Sequence, residues 1–314
     1  MRLLGILLLC FYSLVFSQDW PKQKLVQILI GFAPGATTDT VARIAAAKLQ
    51  EALGASFVAE NRPGAGGNVA TQQVKRAAPD GYTILVTSVA YAVNPSLYAS
   101  AGYDPLKDFI PVMLGPSTPN IITVHPSLPV KNLAELLEHA RKEKLSYASS
   151  GIGTTTHLSV ERLKTAAKVD ITHVPYQPAQ AVGATVGGHT QISCTSMPPA
   201  VSHVKAGRVR AIAVTSAQRS PALPEVPTVN EQGYSGFDDL TWVGFFAPAG
   251  TPAEIINRLN AELNKAFSAP DVREKLSALG LETKANSPTE FAAFIREEVP
   301  KWAKAVKDSG AKAD

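Results

Sequence analysis

The feature that most constrains this chain is a repeated unit in which a buried strand leads through a glycine-containing loop into an amphipathic helix. Lys24–Ile30 is apolar enough for a mostly buried strand, and residues 31–36 form a turn with two glycines. Thr37 and Thr38 are candidate N-caps for a helix whose apolar residues recur at helical spacing until Gly54. Strands that alternate with helices predict an α/β fold with a parallel sheet covered on both faces.

The alternation continues in two series, followed by a C-terminal return segment. Further strands are predicted at Ser56–Glu60, Tyr82–Val86, Ile121–Val124, Leu145–Ala148, Ile171–Val174, Thr190–Cys194, Val209–Val214 and Leu240–Phe246. Further helices are predicted at Asn68–Ala78, Leu133–Lys142, Thr156–Ala166, Ala179–Val186, Pro198–Ala206 and Phe291–Glu298. Thr251 is the predicted N-cap of one more helix, with Pro252 at its first position. A chain of 314 residues suits two lobes, which we place at residues 18–118 plus 239–314 and at residues 119–238.

The N-terminal segment predicts export. A basic residue precedes an almost wholly apolar run over residues 3–16, and Val15 and Ser17 occupy suitable −3 and −1 positions for cleavage before Gln18. The run is too short to cross about 30 Å of hydrocarbon, which favours a cleaved signal peptide (residues 1–17) over a membrane span. The alternative, a buried N-terminal helix, lacks a polar face to support it. The mature protein is therefore expected in the periplasm.

Cysteine usage points to a structural role for one thiol. Cleavage of the signal removes Cys10 and leaves only Cys194, so an internal disulfide cannot form. Cys10 is a poor site for lipid attachment because Leu9 precedes it where a small residue is expected. Cys194 lies in a strand-like run, which favours a small buried hydrophobic residue over a nucleophile.

Composition and motifs exclude several classes of function. The net charge is +4, aromatic residues make up 7% of the chain, and Lys and Arg are spread along it, which argues against nucleic-acid binding. No Gly-x-Ser-x-Gly, His-Glu-x-x-His or Cys-x-x-Cys motif occurs. His157 and Glu161 lie one helical turn apart, which is more typical of a packing pair than of a metal site. We expect no catalytic site, metal or other cofactor; the rival is an exported α/β hydrolase, whose dispersed triad leaves no local motif.

Three loops follow a strand and lead into a helix, which is where open α/β sheets bind ligands. The loop at residues 32–39 combines small residues with threonines, and ordinary capping and ligand contact both explain it. The loop at residues 149–157 has several hydroxyls and two glycines but neither the lysine nor the spacing of a phosphate-binding loop, and it suits a carboxylate. The glycines of residues 64–67 lack the spacing of a dinucleotide fingerprint and predict a tight turn.

A series of collinear segments covers essentially the whole mature chain. The segments are Gly31–Asp39, Glu60–Asn68, Ala78–Thr83, Asn94–Tyr98, His125–Pro129, Thr154–Leu158, His173–Tyr176, Ala213–Ser216, Leu223–Thr228 and Phe246–Pro252. Together they resemble the tripartite tricarboxylate transporter receptors, also called Bug-type extracytoplasmic solute receptors. The resemblance implies a two-lobed periplasmic binding protein fold (type II-like), in which each lobe is a sheet flanked by helices and a cleft lies between the lobes.

The resemblance also implies a function. Such a receptor captures a small carboxylate by lobe closure and passes it to the membrane subunits of a transporter. The family's cleft loops correspond to residues 32–38, 87–94 and 150–156. The predicted ligand-contacting residues are Phe32, Thr37, Thr38, Thr87, Ser88, Ser150, Thr154, Thr155, Thr156, Tyr176 and Thr195. We expect a monomer; a sensor for a membrane signalling partner is the alternative to a transport receptor.

Two departures from the family pattern bear on the ligand. The family often has an acidic residue before Leu-Leu-Gly-Gly where this chain reads Val182–Gly188, and its next strand usually ends in Phe-Asp where this chain has Cys194 and Thr195. The missing carboxylate removes a partner for a ligand ammonium. We therefore predict a ligand without an amino group, such as a dicarboxylate or an aromatic carboxylate.

Overall fold

The computed structural model describes residues 20–177 and 180–313, so the predicted signal peptide lies outside the described residues. Its strands are β1 (Val26–Ile30), β2 (Phe57–Asn61), β3 (Thr83–Ser88), β4 (Phe109–Val124), β5 (Leu145–Ser149), β6 (Ile171–Pro175), β7 (Ile192–Ser196), β8 (Arg210–Val214) and β9 (Leu240–Pro248). Its helices are α1 (Thr37–Leu53), α2 (Asn68–Lys75), α3 (Ala90–Leu97), α4 (Leu133–Lys142), α5 (Thr155–Ala167), α6 (Ala181–Val186), α7 (Met197–Lys205), α8 (Ala253–Ser268), α9 (Pro270–Ala278) and α10 (Pro288–Ser309).

The described strands form one continuous path in the order β2-β1-β3-β9-β4-β7-β5-β6, and β8 pairs with β4. β1 lies between β2 and β3 and is parallel to both. Alternate side chains of β1 enter opposite cores, because Ile28 packs with Val41 of α1 while Leu29 packs with Tyr91 of α3. This part of the sheet is buried on both faces, as the apolar run in the sequence predicted.

The predicted parallel pairing holds for β1 with β2 and β3 and for β5 with β6 and β7, but the sheet also contains antiparallel pairs. β9 is antiparallel to β3 and to β4, and β4 is antiparallel to β7 and β8. β4 is 16 residues long, whereas the sequence predicted only its last four residues as a strand. Pro111, Pro116 and Pro119 interrupt the strand pattern, and the register with β9 shifts near the first two of them.

β4 connects the two lobes. Its residues 109–119 pair with β9, and its residues 120–124 pair with β7 and β8. The return segment packs on the first lobe, since Leu259 of α8 and Trp302 of α10 join its two apolar clusters. The boundary that we predicted between residues 118 and 119 falls inside β4, and the exact lobe limits stay a prediction.

Several helix ends differ from the predictions. The N-cap of α1 is Ala36, so Thr37 and Thr38 are the first two helical residues and not caps. The N-cap of α8 is Pro252, and the Thr251 hydroxyl instead donates to the Pro248 carbonyl at 2.8 Å. α3 was not predicted at all, because it contains Pro95 and is apolar nearly all round.

Cys194 is fully buried in the core of the second lobe, and burial raises the pKa of its thiol. The prediction of a small buried hydrophobic residue is confirmed. Among the described residues, no helix combines the length and apolar character that a membrane span needs.

Candidate functional site

Two helix N-termini from different lobes face one cavity. α1 begins at Thr37 after β1, and α5 begins at Thr155 after β5, so both starts lie beyond the carboxyl ends of parallel strands. The cavity has a volume of about 50 Å³, and most of its lining side chains carry hydroxyls. The lining residues are Phe32, Ala36, Thr37, Thr38, Ser88, Val89, Ser150, Thr154, Thr155, Thr156, Ser196 and Thr241. We call this space the inner cavity.

The first cleft loop (residues 31–38) offers donors that the protein does not use. The N-cap Ala36 has no side chain to cap the first backbone N–H groups of α1. The Thr38 hydroxyl is buried beside the inner cavity and has no hydrogen-bond partner among the described residues. A buried hydroxyl without a partner is costly unless a ligand completes it. This loop is therefore suited to an anion.

The first cleft loop is held in place from behind by Asp39. Its carboxylate accepts hydrogen bonds from the Gly35 N–H at 3.0 Å, from Arg43 at 2.9 Å and from Asn61 at 2.9 Å. Burial alone would raise the pKa of Asp39, but the bonds from Arg43, Gly35 and Asn61 hold it below its usual value. The Arg43 guanidinium compensates the Asp39 charge, so the N-terminus of α1 keeps its preference for an external anion.

The second cleft loop (residues 149–156) uses most of its hydroxyls internally. The Thr154 side chain caps α5, donates to the Gly151 carbonyl at 2.7 Å and lies 2.8 Å from the Thr156 hydroxyl. The Thr156 hydroxyl also accepts from the Ser150 N–H at 3.0 Å. These threonines, which we predicted as ligand contacts, line the inner cavity and at the same time fix the shape of the loop.

Thr155 connects the inner cavity to the strands that cross between the lobes. Its hydroxyl lies 2.6 Å from the hydroxyl of Thr241 on β9, and Thr241 donates to Asn120 of β4 at 2.8 Å. Just before β9, the fully buried Asp239 pairs with Arg162 of α5 and accepts from Ser159 at 3.0 Å. Burial raises the pKa of Asp239, although Arg162 opposes this effect.

The lobes touch at several points around the inner cavity. The hydroxyls of Thr37 and Ser196, one from each lobe, lie 3.4 Å apart. Gly153 packs so closely on Leu97 of α3 that an added Cβ would overlap the leucine side chain. Elsewhere between the lobes, a Cβ at Gly280 would lie 2.9 Å from Cβ of Met197. These contacts bring both helix N-termini against the same small space.

A second space, the outer cavity, adjoins the inner one and has a volume of about 900 Å³. The two cavities share Phe32, Ser150 and Thr154. The outer cavity is also lined by Tyr176 and by the glycine-rich turn at residues 64–67. Among the described lining residues of both cavities, Lys312 is the one that carries a formal charge, and none is acidic.

Most of the predicted ligand-contacting residues come together. The inner cavity is lined by Phe32, Thr37, Thr38, Ser88, Ser150, Thr154, Thr155 and Thr156. Tyr176 lines the outer cavity instead. Thr87 and Thr195 line neither: Thr87 is buried near Gly31 and Gly67, and the Thr195 hydroxyl is buried without a partner in the described part of the chain.

Two lining residues of the inner cavity lie outside all the predicted cleft loops and were missed by the sequence reasoning. Ser196 follows Thr195 on β7, and because side chains alternate along a strand it takes the place at the cavity that we assigned to Thr195. A correct prediction of the last residue of β7 would have identified Ser196. Thr241 lies at the start of β9, far along the chain from both cleft loops, and no local motif marks it.

Most of the chain is similar to a known family of receptors. Residues 41–311 match the family model described as the tripartite tricarboxylate transporter family receptor. The chain is 40% identical over 291 residues to the UPF0065 protein in the tcbD-tcbE intergenic region of Pseudomonas sp. (strain P51), covering 91% of this chain and 86% of that protein.

Two solved structures with bound acids are also similar. R. palustris Rpa4515 with adipate is 36% identical, with a TM-score of 0.88 and coverage of 94% of this chain and 99% of that one. MatC from Rhodopseudomonas palustris with bound malate is 34% identical, with a TM-score of 0.83 and coverage of 91% and 100%. These likenesses confirm the predicted α/β binding-protein fold.

Proposed function

The chain belongs to the tripartite tricarboxylate transporter family of receptors, and on that premise we propose that it captures a small carboxylate outside the cytoplasmic membrane. The ligand is a dicarboxylate or an aromatic carboxylate, and closure of the lobes delivers it to the membrane subunits of a tripartite tricarboxylate-type transporter. The protein acts as a monomer, and the signal peptide predicted at residues 1–17 directs it to the periplasm.

One observation carries this proposal: the N-termini of α1 and α5 face the inner cavity from opposite lobes. Each N-terminus carries partial positive charge and backbone N–H groups without partners in its own helix. The buried Thr38 hydroxyl adds a donor that no described protein group uses. A carboxylate placed there bridges the lobes, and each charge-assisted hydrogen bond is worth about 1.5–3 kcal/mol.

The absence of acidic side chains supports a ligand without an amino group. No described residue that lines the inner or the outer cavity has a carboxylate. A ligand ammonium would lose its hydration without gaining an opposite charge, which is unfavourable. Thr195 itself lines neither cavity. The preference for a ligand without an amino group therefore follows from the lining as a whole and not from that one position.

The size of the outer cavity supports an extended ligand. One carboxylate fits between the helix N-termini, and the remainder of the molecule extends past Phe32 and Ser150 into the outer cavity. The relatives with bound adipate and malate carry acids with two carboxylates. By analogy, we propose a dicarboxylate as the preferred ligand.

The rival hydrolase has two Ser–His pairs to offer among the described residues, and neither setting is favourable. Ser127 Oγ lies 2.7 Å from His125 Nδ1 on an exposed turn, and neither residue lines the inner or the outer cavity. Ser149 Oγ lies 2.6 Å from His173 Nε2. Ser149 is fully buried and lines neither cavity, so a substrate carbonyl has no route to its hydroxyl. We expect no turnover of a panel of p-nitrophenyl esters, and turnover that disappears in a Ser149→Ala variant would favour the hydrolase.

The test is a thermal-shift screen of the mature protein, followed by calorimetry. Succinate and aspartate form a matched pair because they differ only by an amino group, and adipate, malate, benzoate and glucose complete the panel. A ligand at about 100 times its Kd adds roughly 2.7 kcal/mol to the free energy of unfolding. We expect shifts with carboxylates that lack an amino group and none with aspartate. A shift with aspartate alone would overturn the ligand class, and no shift with any carboxylate would overturn the function.

A further inference from the structure

Two histidines stack directly behind the second cleft loop. His157 lies on α5 and His173 on β6, and their ring centroids are 4.0 Å apart with an interplanar angle of 22°. His157 is only 6% exposed, and His173 is half-buried. Neither ring lines the inner or the outer cavity, so neither contacts the ligand that we propose.

Each ring holds a different part of the loop. The Gly153 N–H donates to His157 Nδ1 at 3.1 Å. His173 Nε2 lies 2.6 Å from the Ser149 hydroxyl, which in turn accepts from the Gly151 N–H at 3.1 Å. The two histidines therefore fix both the first and the later residues of the loop that presents Ser150 and Thr154 to the cavity.

The bond from Gly153 requires one form of His157. A backbone N–H can only donate, so Nδ1 of His157 must be the unprotonated nitrogen and the proton must sit on Nε2. Protonation of the ring places a second N–H against the Gly153 N–H and breaks the bond. The loop that has this hydrogen bond is compatible only with the neutral ring.

We propose that His157 and His173 are positioning residues that hold the second cleft loop in its carboxylate-binding form while the His157 ring is neutral. This inference rests on the function proposed above, because the loop's role is to bind an anion. Protonation of His157, or its replacement by a residue without an acceptor, releases the loop and weakens binding without any change in the residues that contact the ligand.

The surroundings keep both rings neutral near pH 7. Burial lowers the pKa of His157 to about 4, and Lys164 adds to this effect. Burial lowers the pKa of His173 to about 3, with contributions from His157 and Lys164, while Glu161 acts in the opposite direction.

The other titratable groups near the two rings are Glu161, Lys164, Tyr147 and Cys194. Glu161 Oε1 is 3.9 Å from His157 Nε2, but it accepts from the Tyr147 hydroxyl at 2.7 Å and from Lys164 at 2.9 Å. Tyr147 of β5 stacks on His173, and Cys194 of β7 faces Tyr147 as a neutral thiol. Lys164 compensates the Glu161 charge, and burial outweighs the remaining effect of this carboxylate on the pKa of His173.

A first experiment needs no ligand. The ¹⁵N and ¹H spectra of the mature protein report the tautomer of His157 and the Gly153 amide. We expect the Nε2–H tautomer, and a Gly153 amide shift that follows the titration of His157 with a midpoint well below pH 6.5. An Nδ1–H tautomer, or a Gly153 amide that ignores the titration, would contradict the proposal even if the protein binds no carboxylate.

A second experiment measures the Kd of adipate and malate by calorimetry. His157→Asn keeps an acceptor oxygen near the position of Nδ1 but cannot titrate, and His157→Leu removes the acceptor. We expect the asparagine variant to bind within about threefold of wild type at pH 7, and the leucine variant to bind roughly tenfold more weakly or worse, because it leaves a buried N–H without a partner. His189→Asn, an exposed histidine of the same lobe, serves as the control.

The pH dependence of the Kd then distinguishes a positioning role of His157 from a simple packing role. Wild type and His157→Asn experience the same titration of the ligand, so the ratio of their Kd values isolates the histidine. With a pKa of about 4, wild type should weaken relative to the variant by roughly twofold at pH 4 and several-fold at pH 3.5. A ratio that stays constant with pH, or a leucine variant that binds like wild type, would refute the role. Absence of binding by all three proteins would overturn the proposed function. The spectra of the first experiment would still test whether His157 holds the second cleft loop.

Discussion

The two cleft loops present helix N-termini to the same cavity, yet they are built in opposite ways. In the first cleft loop, Ala36 provides no cap and the Thr38 hydroxyl has no partner among the described residues. In the second, Thr154 caps its helix and Thr156 accepts from the backbone of its own loop. The first cleft loop therefore leaves hydrogen-bond donors available for a ligand, whereas the second uses its donors to stabilise its own conformation.

This difference suggests a division of labour between the lobes. The first lobe supplies affinity, because a ligand completes hydrogen bonds that the protein leaves unmade. The second lobe supplies a rigid surface, because its hydroxyls, together with His157 and His173, restrict the loop before any ligand binds. A preorganised surface reduces the entropy lost on binding. Substitutions on the two sides should therefore change different quantities.

The largest effect is expected at Gly153, where the second cleft loop meets Leu97 of the first lobe. Gly153 has a φ of +75°, and a side chain there overlaps Leu97, so Gly153→Ala should weaken carboxylate binding by more than about a hundredfold. Gly151→Ala is the matched control, since Gly151 also has a positive φ (+116°) but an added Cβ would meet nothing closer than 3.7 Å. Calorimetry of both variants separates backbone strain from the clash between lobes.

Relief of the clash provides the decisive comparison. A second substitution, Leu97→Ala, makes room for the new methyl group and should restore much of the lost affinity of Gly153→Ala. If Gly151→Ala is as damaging as Gly153→Ala, and Leu97→Ala restores nothing, the contact between the lobes does not limit binding, and strain in the loop accounts for the loss.

A smaller effect on binding, with none on folding, is expected at Thr38. Thr38→Val removes a hydroxyl that bonds to no described protein group, so the free energy of unfolding should not fall, while the Kd should rise roughly tenfold to a hundredfold. Thr123→Val is the opposite case, because Thr123 is buried 2.6 Å from the Ser193 hydroxyl and away from the cleft. That control should lose stability and keep its affinity, as urea unfolding and calorimetry would show. Unchanged affinity in Thr38→Val would remove the basis for the first lobe's role.

The sequence predicted much of this site because its chemistry is local. A hydroxyl at a strand end followed by a helix start can be recognised from neighbouring residues, and Thr37, Thr38, Ser150 and Thr154 were found in this way. The same locality explains why Thr87 and Thr195, which were also predicted as ligand contacts, line neither cavity. Side chains alternate between the two faces of a strand. A strand end that is misplaced by one residue therefore assigns the contact to a side chain that points into the interior.

The remaining features depend on contacts between distant parts of the chain. Thr241 joins the cavity through β9, whose antiparallel pairing with β4 the sequence did not reveal because prolines interrupt β4. The support of Gly153 by His157 depends on a loop conformation with a positive φ, which no residue pattern specifies. The lobes, by contrast, followed from the repeated strand–helix units, since each unit needs a covered sheet.

The third prediction concerns stability more than affinity. Thr155 bonds to Thr241 and Asn120 on the strands that join the lobes, so Thr155→Val should lower the free energy of unfolding by about 1–2 kcal/mol. Its Kd for a carboxylate should change less than that of Thr38→Val. Thr165→Val, an exposed threonine on the same helix, should change neither quantity measurably. A loss of affinity in Thr155→Val that exceeds the loss in Thr38→Val would reverse the assignment of roles to the two lobes.

The smallest effect is expected at Ser196, where the two sides meet through a long contact. Its hydroxyl lies 3.4 Å from that of Thr37, a distance at which a hydrogen bond contributes little. Ser196→Ala should therefore raise the Kd only about twofold to threefold, mainly through faster ligand dissociation, because the contact favours the closed lobes and not the ligand itself. Ser202→Ala, an exposed serine on α7, the helix that directly follows β7, is the control. Stopped-flow dissociation distinguishes the cases: a rise of tenfold or more would mean that Ser196 donates directly to the carboxylate, and that the second lobe also supplies affinity.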